Sequence, residues 1–254
     1  MKRVAYVLGL PVVLFAAWYL LSAGSESFYA PPLSKILESF GKTWTLDRFT
    51  ADVVPSLLRL TAGYAVAAVL GVAAGVIIGL NRWVRATIEP VLEFFRAVPP
   101  PVLVPVIILF AGIGDGMKVI VIAFGCVWPV LLNTVEGVRA VDSIQIDTAR
   151  AYGITGPARI GRVILPAASP QIAAGLRQAL SIAIILMVIS EMFAASNGLG
   201  FTIVQFQRSF AIPEMWSGII LLGLLGFVLS LLFRLAEGRA LRWYHGLREA
   251  QRRS

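Results

Sequence analysis

Long apolar runs separated by short polar stretches follow one another along this chain. Residues 4–21 and 61–80 contain no charged side chain, and further apolar runs lie at 97–113, 119–135, 171–192 and 215–233. A helix needs about 20 predominantly apolar residues to cross a bilayer. The pattern therefore predicts an all-α membrane protein with six transmembrane helices, forming a single transmembrane domain over residues 1–254. A secretory signal peptide is the alternative for the first run, but later spans continue the membrane pattern.

Two polar stretches stand out between the predicted spans. Residues 24–58 are polar and broken, with a short amphipathic helix expected after Pro31 and Pro32 on the strength of Leu33 and Ile36. Residues 137–170 form a long loop between the fourth and fifth spans, and this loop enters the fifth span with a polar first turn. The first stretch is predicted to lie outside the membrane or at its outer interface.

A row of small residues marks the second predicted span. Gly71, Gly75 and Gly79 recur every four residues, so they share one face of a helix. A flat face of this kind lets a second helix backbone approach closely. We therefore predict that these three glycines serve helix packing.

The charged residues orient the spans. Six spans place both termini on one side, and the loops of that side hold most of the Lys and Arg, whereas the opposite set holds only Lys35, Lys42, Arg48, Arg59, Lys118 and Arg208. Loops rich in Lys and Arg face the cytoplasm. The termini and the loop 137–170 are thus predicted to be cytoplasmic. This topology, with anionic lipid headgroups as neighbours, accounts for the net charge of +8 without a nucleic-acid partner.

Composition supports a membrane protein and leaves little for catalysis. The chain is 58% hydrophobic and 14% charged, and its mean hydropathy is +0.82. It has one cysteine, Cys126, and one histidine, His245, so neither a disulfide nor a Cys/His metal site is expected within one chain. No Walker A loop and no nucleophile–base set is found. We predict no catalytic residue, no metal site and no cofactor in this chain, so active transport would need a gradient or a partner.

The loop 137–170 is suited to meeting a partner. Asp147 is expected at a helix start, where exposed N–H groups favour a carboxylate. Ala149 and Ala151 are small enough for a helix to enter a groove, and Gly153 is able to stop that helix in a left-handed conformation. Arg159 and Arg162 flank apolar residues on a second, basic amphipathic segment. An ordinary re-entry loop with the usual positive charge explains the same residues equally well.

The spacing in this loop resembles the signature of importer-type ABC transporter permeases. That signature is Glu-Ala-Ala, three residues, Gly, nine residues, Ile, one residue, Leu-Pro. Asp147-Thr148-Ala149, Gly153, Val163 and Leu165-Pro166 keep every spacing, with conservative changes at the first, second and Ile positions. Two further stretches, 94–118 and 190–203, are similar to the nitrate, sulfonate and taurine branch of the family.

The resemblance implies an importer-type permease fold in a bacterial inner membrane. It implies a second copy of the chain as a homodimer partner, two separate ATP-binding subunits that hold ATP and magnesium, and an extracytoplasmic substrate-binding protein. It also implies a short coupling helix that docks into the ATPase. The docking residues would be Asp147, Thr148, Ala149, Arg150, Gly153, Leu165 and Pro166.

Glu191 and the glycine loop after it are candidates for the pathway. Glu191 lies near the outer end of the fifth span, where an ionisable residue indicates a function. It either lines the path or holds the NGLG loop by accepting backbone N–H bonds. Asn197, Gly198 and Gly200 are predicted to form a loop at the pore mouth or at the binding protein.

Two other functions compete with ATP-driven import. A secondary transporter driven by H⁺ or Na⁺ would need intramembrane acids or an inverted repeat, and Glu191 is the one candidate acid. A membrane-embedded enzyme would need polar clusters that the spans lack. The expected solute is a small organic or inorganic anion such as a sulfonate or nitrate, although bicarbonate, aromatic carboxylates and pyrimidine vitamin precursors are also compatible.

Overall fold

Helices form the regular structure of this protein. The structure, a computed structural model, describes residues 2–193, 195–244 and 246, with no side-chain account of residues 2–8 and 11. His245 and the arginines of the basic tail, Arg248, Arg252 and Arg253, lie outside the described residues. Strands are absent from the described ranges.

The helices follow the apolar runs but extend beyond them. They are α1 (Lys2–Ser22), α2 (Leu33–Thr43), α3 (Leu46–Leu80), α4 (Arg82–Ala97), α5 (Pro100–Ala111), α6 (Asp115–Arg139), α7 (Ser143–Ala151), α8 (Gly156–Phe193), α9 (Leu199–Arg208) and α10 (Ile212–Ala240). Among the described residues, α3, α6, α8 and α10 are each long and apolar enough to cross a membrane, and α4 with α5 makes a fifth candidate bent by 83°.

The stretch 81–96, predicted to lie between spans, is helical in the structure. Asn81 caps α4 by accepting hydrogen bonds from the backbone N–H groups of Trp83 and Val84. Val84, Ile88 and Leu92 recur every four residues and pack against a buried cluster of Ile78, Leu131 and Val135. The charged residues between them hide this apolar face from a hydropathy average, which explains why the sequence placed a span only from residue 97.

Two long helices contain a π-helical turn just before a proline. The turns are Phe49–Val53 in α3 and Ile160–Ile164 in α8, and Pro55 and Pro166 follow two residues after them. A proline has no N–H to donate to the carbonyl four residues earlier, and its ring crowds that carbonyl. The π turns absorb this disturbance, so each helix continues as one element.

The chain groups into two compact units, Met1–Ser56 with Ser196–Leu225 and Leu57–Ala195 with Gly226–Ser254. In the first unit, the indole Nε1–H of Trp44 donates to Ser217 Oγ at 3.1 Å, and Leu33 and Ile36 of the predicted amphipathic helix are buried. In the second unit, α6 is the most buried candidate span, and it packs along α8.

Glycines bring α3 against α6. A Cβ atom at Gly71, Gly75 or Gly79 would lie 2.6–2.8 Å from the Cβ atom of Val130, Thr134 or Val138, respectively. Such distances are too short for carbon atoms that are not bonded. The three residues met on α6 are also four apart, so the two helices meet along a matched row. We call this contact the glycine seam.

Candidate functional site

The segment 143–166, which we call the docking segment, begins with a capped helix. Asp142 caps α7, since its carboxylate accepts a hydrogen bond from the backbone N–H of Ile144 at 2.9 Å. The expectation that Asp147 starts this helix is therefore wrong, because Asp142 satisfies the first turn one turn earlier. Asp147 lies inside α7 and forms an exposed ion pair with Arg150 at 3.1 Å.

The helix ends at Gly153 in a left-handed conformation. The φ angle of Gly153 is +70°, and its N–H donates to the carbonyl of Arg150 at 3.0 Å. The N–H of Ile154 donates to the carbonyl of Ala149 at 2.8 Å. This pair of bonds is the Schellman arrangement, in which the residue after the helix needs positive φ. Gly153 is thus the stop between α7 and α8.

The docking segment is anchored at one end and exposed at the other. Ile160 and Leu165 pack against a buried cluster that includes Val76, Val138 and Ile164. By contrast, Ile144 on α7 and Tyr152 directly after it are 70% and 80% exposed. Large apolar side chains at this exposure, outside the candidate spans, are typical of a surface that a partner covers.

A groove of about 810 Å³ runs beside α7. Thr148, Ala149 and Pro166 line it, together with Arg162 of α8 and Trp243 after α10. Asp147, Arg150 and Gly153 do not line the groove, while Leu165 packs into the cluster. The residues of the predicted docking set therefore divide between a groove wall, an exposed charged face and a buried anchor.

Sequence reasoning missed Ile144 and Tyr152. They and Thr148 stand at positions i, i+4 and i+8, which places them on one face of α7. The spacing can be read from the sequence, but the helix is short and Thr148 interrupts the apolar face, so this face was not recognised.

A second group of charged residues has three buried members, one on each of three candidate spans, and an exposed fourth member, Asp115. Arg59 of α3, Lys118 of α6 and Glu191 of α8 are each less than 5% exposed. The Arg59 guanidinium donates to Glu191 Oε1 at 2.7 Å and to Asp115 Oδ1 at 2.8 Å, and Lys118 Nζ lies 3.3 Å from the same Asp115 oxygen. We call these four residues the ion cluster. Its two positive and two negative charges cancel.

The ion cluster gives Glu191 a partner that the sequence did not supply. From the sequence, Arg59 and Lys118 served only to orient the spans, as charges on the side opposite to the termini. A signal was present, because each of the three buried members borders an apolar run. A buried charge needs an opposite charge, and the ends of three neighbouring spans are where such charges are able to meet.

The glycine loop after Glu191 is packed rather than open. Gly198 and Gly200 are buried and Asn197 is half-buried. The Gly198 N–H donates to Asp52 Oδ1 at 3.3 Å, and the Leu199 N–H donates to Ser56 Oγ at 2.9 Å. Two polar side chains of α3 therefore fix this loop.

Comparison with known proteins places the chain among transport proteins. Residues 67–242 match the family described as binding-protein-dependent transport system inner membrane component. A probable ABC transporter permease protein of Brucella melitensis is 31% identical over 93% of this chain and 97% of its own length. A putative aliphatic sulfonates transport permease protein of Bacillus subtilis is 30% identical over 95% of this chain and 89% of its own. A chain of the MetNI methionine ABC transporter, in an inward-facing conformation, has the same fold with a TM-score of 0.63 at 20% identity, covering 80% of this chain and 97% of its own.

Proposed function

Since the chain belongs to the family of binding-protein-dependent transport system inner membrane components, we propose that it forms the solute path of an ATP-driven importer and receives its power through the docking segment. The permease role in an ABC importer follows from the family and its relatives. Coupling through residues 143–166 is our proposal, and the docking segment is the observation that carries it.

Three features of the docking segment support this role. A capped helix with a fixed stop at Gly153 offers a partner a preformed shape, so little ordering is needed on binding. Its exposed Ile144 and Tyr152 supply apolar contact, and the neighbouring groove receives a protruding side chain. Asp147 and Arg150 add charges that fix the register.

The partners follow from the same proposal. Two ATP-binding subunits with ATP and magnesium would dock on the cytoplasmic side, and this chain would carry no cofactor or catalytic residue. A substrate-binding protein would deliver the solute from outside, and a second copy of the chain would complete the pore. The whole chain would act as a single permease domain.

The span number and the membrane are part of the proposal. We infer six spans when α1 and the bent pair of α4 and α5 are added to α3, α6, α8 and α10. Both termini would then lie in the cytoplasm, in the inner membrane of a bacterium with lipid around the exposed apolar faces.

We infer a small anion as the solute. The Bacillus subtilis relative is described as a permease for aliphatic sulfonates, and it spans nearly the whole of this chain. Sulfonate and nitrate are therefore the first compounds to test, ahead of bicarbonate and aromatic carboxylates.

The ion cluster disfavours a secondary transporter. A gradient-driven carrier needs an intramembrane acid that gains and loses a proton or ion during transport. Glu191, the one candidate from the sequence, is held by the Arg59 guanidinium at 2.7 Å and is 1% exposed. This carboxylate is committed to a buried ion pair, which is a structural role.

Reconstitution tests the function. The chain is co-expressed with a P-loop ATPase and a binding protein from the same gene cluster, and uptake of a labelled alkanesulfonate and of nitrate into proteoliposomes is measured. We expect uptake that requires ATP and the ATPase and that survives an uncoupler. Uptake that continues without ATP and collapses with the proton gradient would overturn the proposal.

A further inference from the structure

A cleft of about 570 Å³ lies in the unit formed by Leu57–Ala195 and Gly226–Ser254, and it shares no residue with the docking segment or the ion cluster. The end of α4, the bend at Pro100, α6 and α8 form its walls. Most of its lining is apolar, and its polar members are Arg96, Trp128, Asn133 and Gln178. A mainly apolar cleft with a few polar groups is typical of a small-molecule site.

The indole of Trp128 presents an unused donor. Its Nε1 atom is buried and has no hydrogen-bond partner among the described residues. The ring lies parallel to that of Phe95, with ring centroids 6.2 Å apart and planes inclined by 4°. Buried N–H groups almost always have a partner, and leaving one without a partner costs free energy. Because Trp128 lines the cleft, an acceptor that enters the cleft is able to supply the missing partner.

The other polar groups favour an acceptor with negative charge. Arg96 forms an exposed ion pair with Glu93, which does not line the cleft, and the other N–H groups of its five-donor guanidinium remain for a ligand. Asn133 is partly occupied, because one of its two N–H groups donates to the Pro129 carbonyl at 2.8 Å and its oxygen accepts from Gln171 at 2.9 Å. No carboxylate belongs to the lining. A cation, an indole N–H and the absence of acids together suit a small oxyanion.

Gln178 indicates that the cleft opens to water. It lies within α8, a candidate span, and its side chain is exposed. An amide that faced lipid tails would have no hydrogen-bond partner there, which is costly. Water or a solute is the environment that satisfies it.

We propose that this cleft binds the anionic group of the transported solute, with Trp128 Nε1–H and Arg96 as donors and Gln178 at the rim. That the bound anion is the transported solute rests on the proposed function, and the cleft adds to that function the residues that contact the solute. It makes the permease itself, beside any binding protein, selective for anions.

Charge-selective thiol labelling tests the cleft without a transport assay. Cys126 is the single cysteine of the sequence and is buried, so the unchanged chain is the blank. The full-length Gln178→Cys variant in nanodiscs is treated with a sulfonate-bearing or a trimethylammonium-bearing methanethiosulfonate. Each labelling rate is divided by the rate at which the same reagent reacts with 2-mercaptoethanol. This removes the difference in intrinsic reactivity between the two reagents. Gln145→Cys, at an exposed amide of α7 outside the cleft, is the matched control.

We expect the corrected rate at Gln178→Cys to favour the anionic reagent by about tenfold or more, because Arg96 is the charged residue of the described lining and a nearby cation concentrates anions. Adding Arg96→Gln should bring the ratio to about one or below. Methanesulfonate should protect the thiol, and Trp128→Phe, which retains an aromatic ring but loses the N–H, should weaken that protection by about tenfold.

Three results would overturn the proposal. They are equal corrected rates at Gln178→Cys, no labelling of that variant by either reagent, and the same selectivity at Gln145→Cys. The labelling needs no ATP and no partner. A selective cleft without ATP-driven uptake would therefore refute only the importer function, and ATP-driven uptake with an unselective cleft would refute only the anion site.

Discussion

Two ion-paired regions of this permease differ in their access to water. In the ion cluster, the side chains of Arg59 and Glu191 are 5% and 0% exposed and lie 2.7 Å apart. In the docking segment, the side chains of Arg150 and Asp147 are 64% and 68% exposed and lie 3.1 Å apart. A buried charge depends on its partner, because water is not there to replace it. An exposed charge is hydrated with or without its partner.

The difference indicates what each region is built to do. The ion cluster ties three spans together with charges that are not separable without a large cost. The docking segment keeps its charges exposed, which suits the docking role that we propose for it. Four changes test this contrast, beginning with the one expected to affect stability most.

Arg59→Met should destabilise the permease by about 3–5 kcal/mol, because it leaves the fully buried Glu191 without its guanidinium. Thermal unfolding in detergent measures the effect. Arg208→Met removes an exposed arginine and is the matched control. The double variant Arg59→Met with Glu191→Gln should recover part of the loss. An unchanged melting temperature in Arg59→Met would contradict the claim that the buried Glu191 depends on its partner.

Gly75→Ala should cost about 1–3 kcal/mol, because its Cβ atom would lie 2.6 Å from Thr134 Cβ across the glycine seam. The helices would have to move apart, since a Cβ atom cannot rotate away. Gly223→Ala, in α10 with nothing within 4 Å, is the control and should gain up to about 1 kcal/mol from helix propensity. Equal melting temperatures for the two variants would show that close packing at the glycine seam does not contribute to stability.

Gly153→Val should strain the helix stop by about 1–2 kcal/mol, since φ is +70° there. We expect normal membrane insertion and a melting temperature lowered by only a few degrees, with loss of ATPase co-purification. Gly161→Val, where a Cβ meets nothing within 4 Å, is the control. Normal yield of the ATPase together with normal transport would contradict the docking role.

Asp147→Asn should change the free energy of unfolding by no more than about 1 kcal/mol, because the pair with Arg150 is exposed. The affinity for the ATPase should fall, and the loss should shrink as salt is raised. Glu136→Gln breaks an exposed pair with Arg139 that lies outside the docking segment, and it should leave the affinity unchanged. Equal losses in the two variants would remove the special role of Asp147.

Much of this architecture is predictable from the pattern of apolar runs, since long uncharged stretches have few alternatives to a membrane helix. The helix stop at Gly153 is also local, because one residue sets it. The ion cluster is different. Arg59, Asp115 and Glu191 are 132 residues apart at the extremes, and only tertiary packing determines which charge meets which. The helix α4 escaped prediction because its apolar face is interleaved with Arg and Glu.

The helix α8 joins the two regions as a lever. Its 38 residues run from Gly156 to Phe193 without interruption, which at 1.5 Å per residue gives a length of about 57 Å. A tilt of about 5° at one end would therefore move the other end by about 5 Å, which is close to one helical turn. Glu191 lies at the far end of this arm and Ile160 at the near end. A small tilt imposed at the docking segment would thus displace the Glu191 end of α8, and with it the ion cluster, by several ångströms.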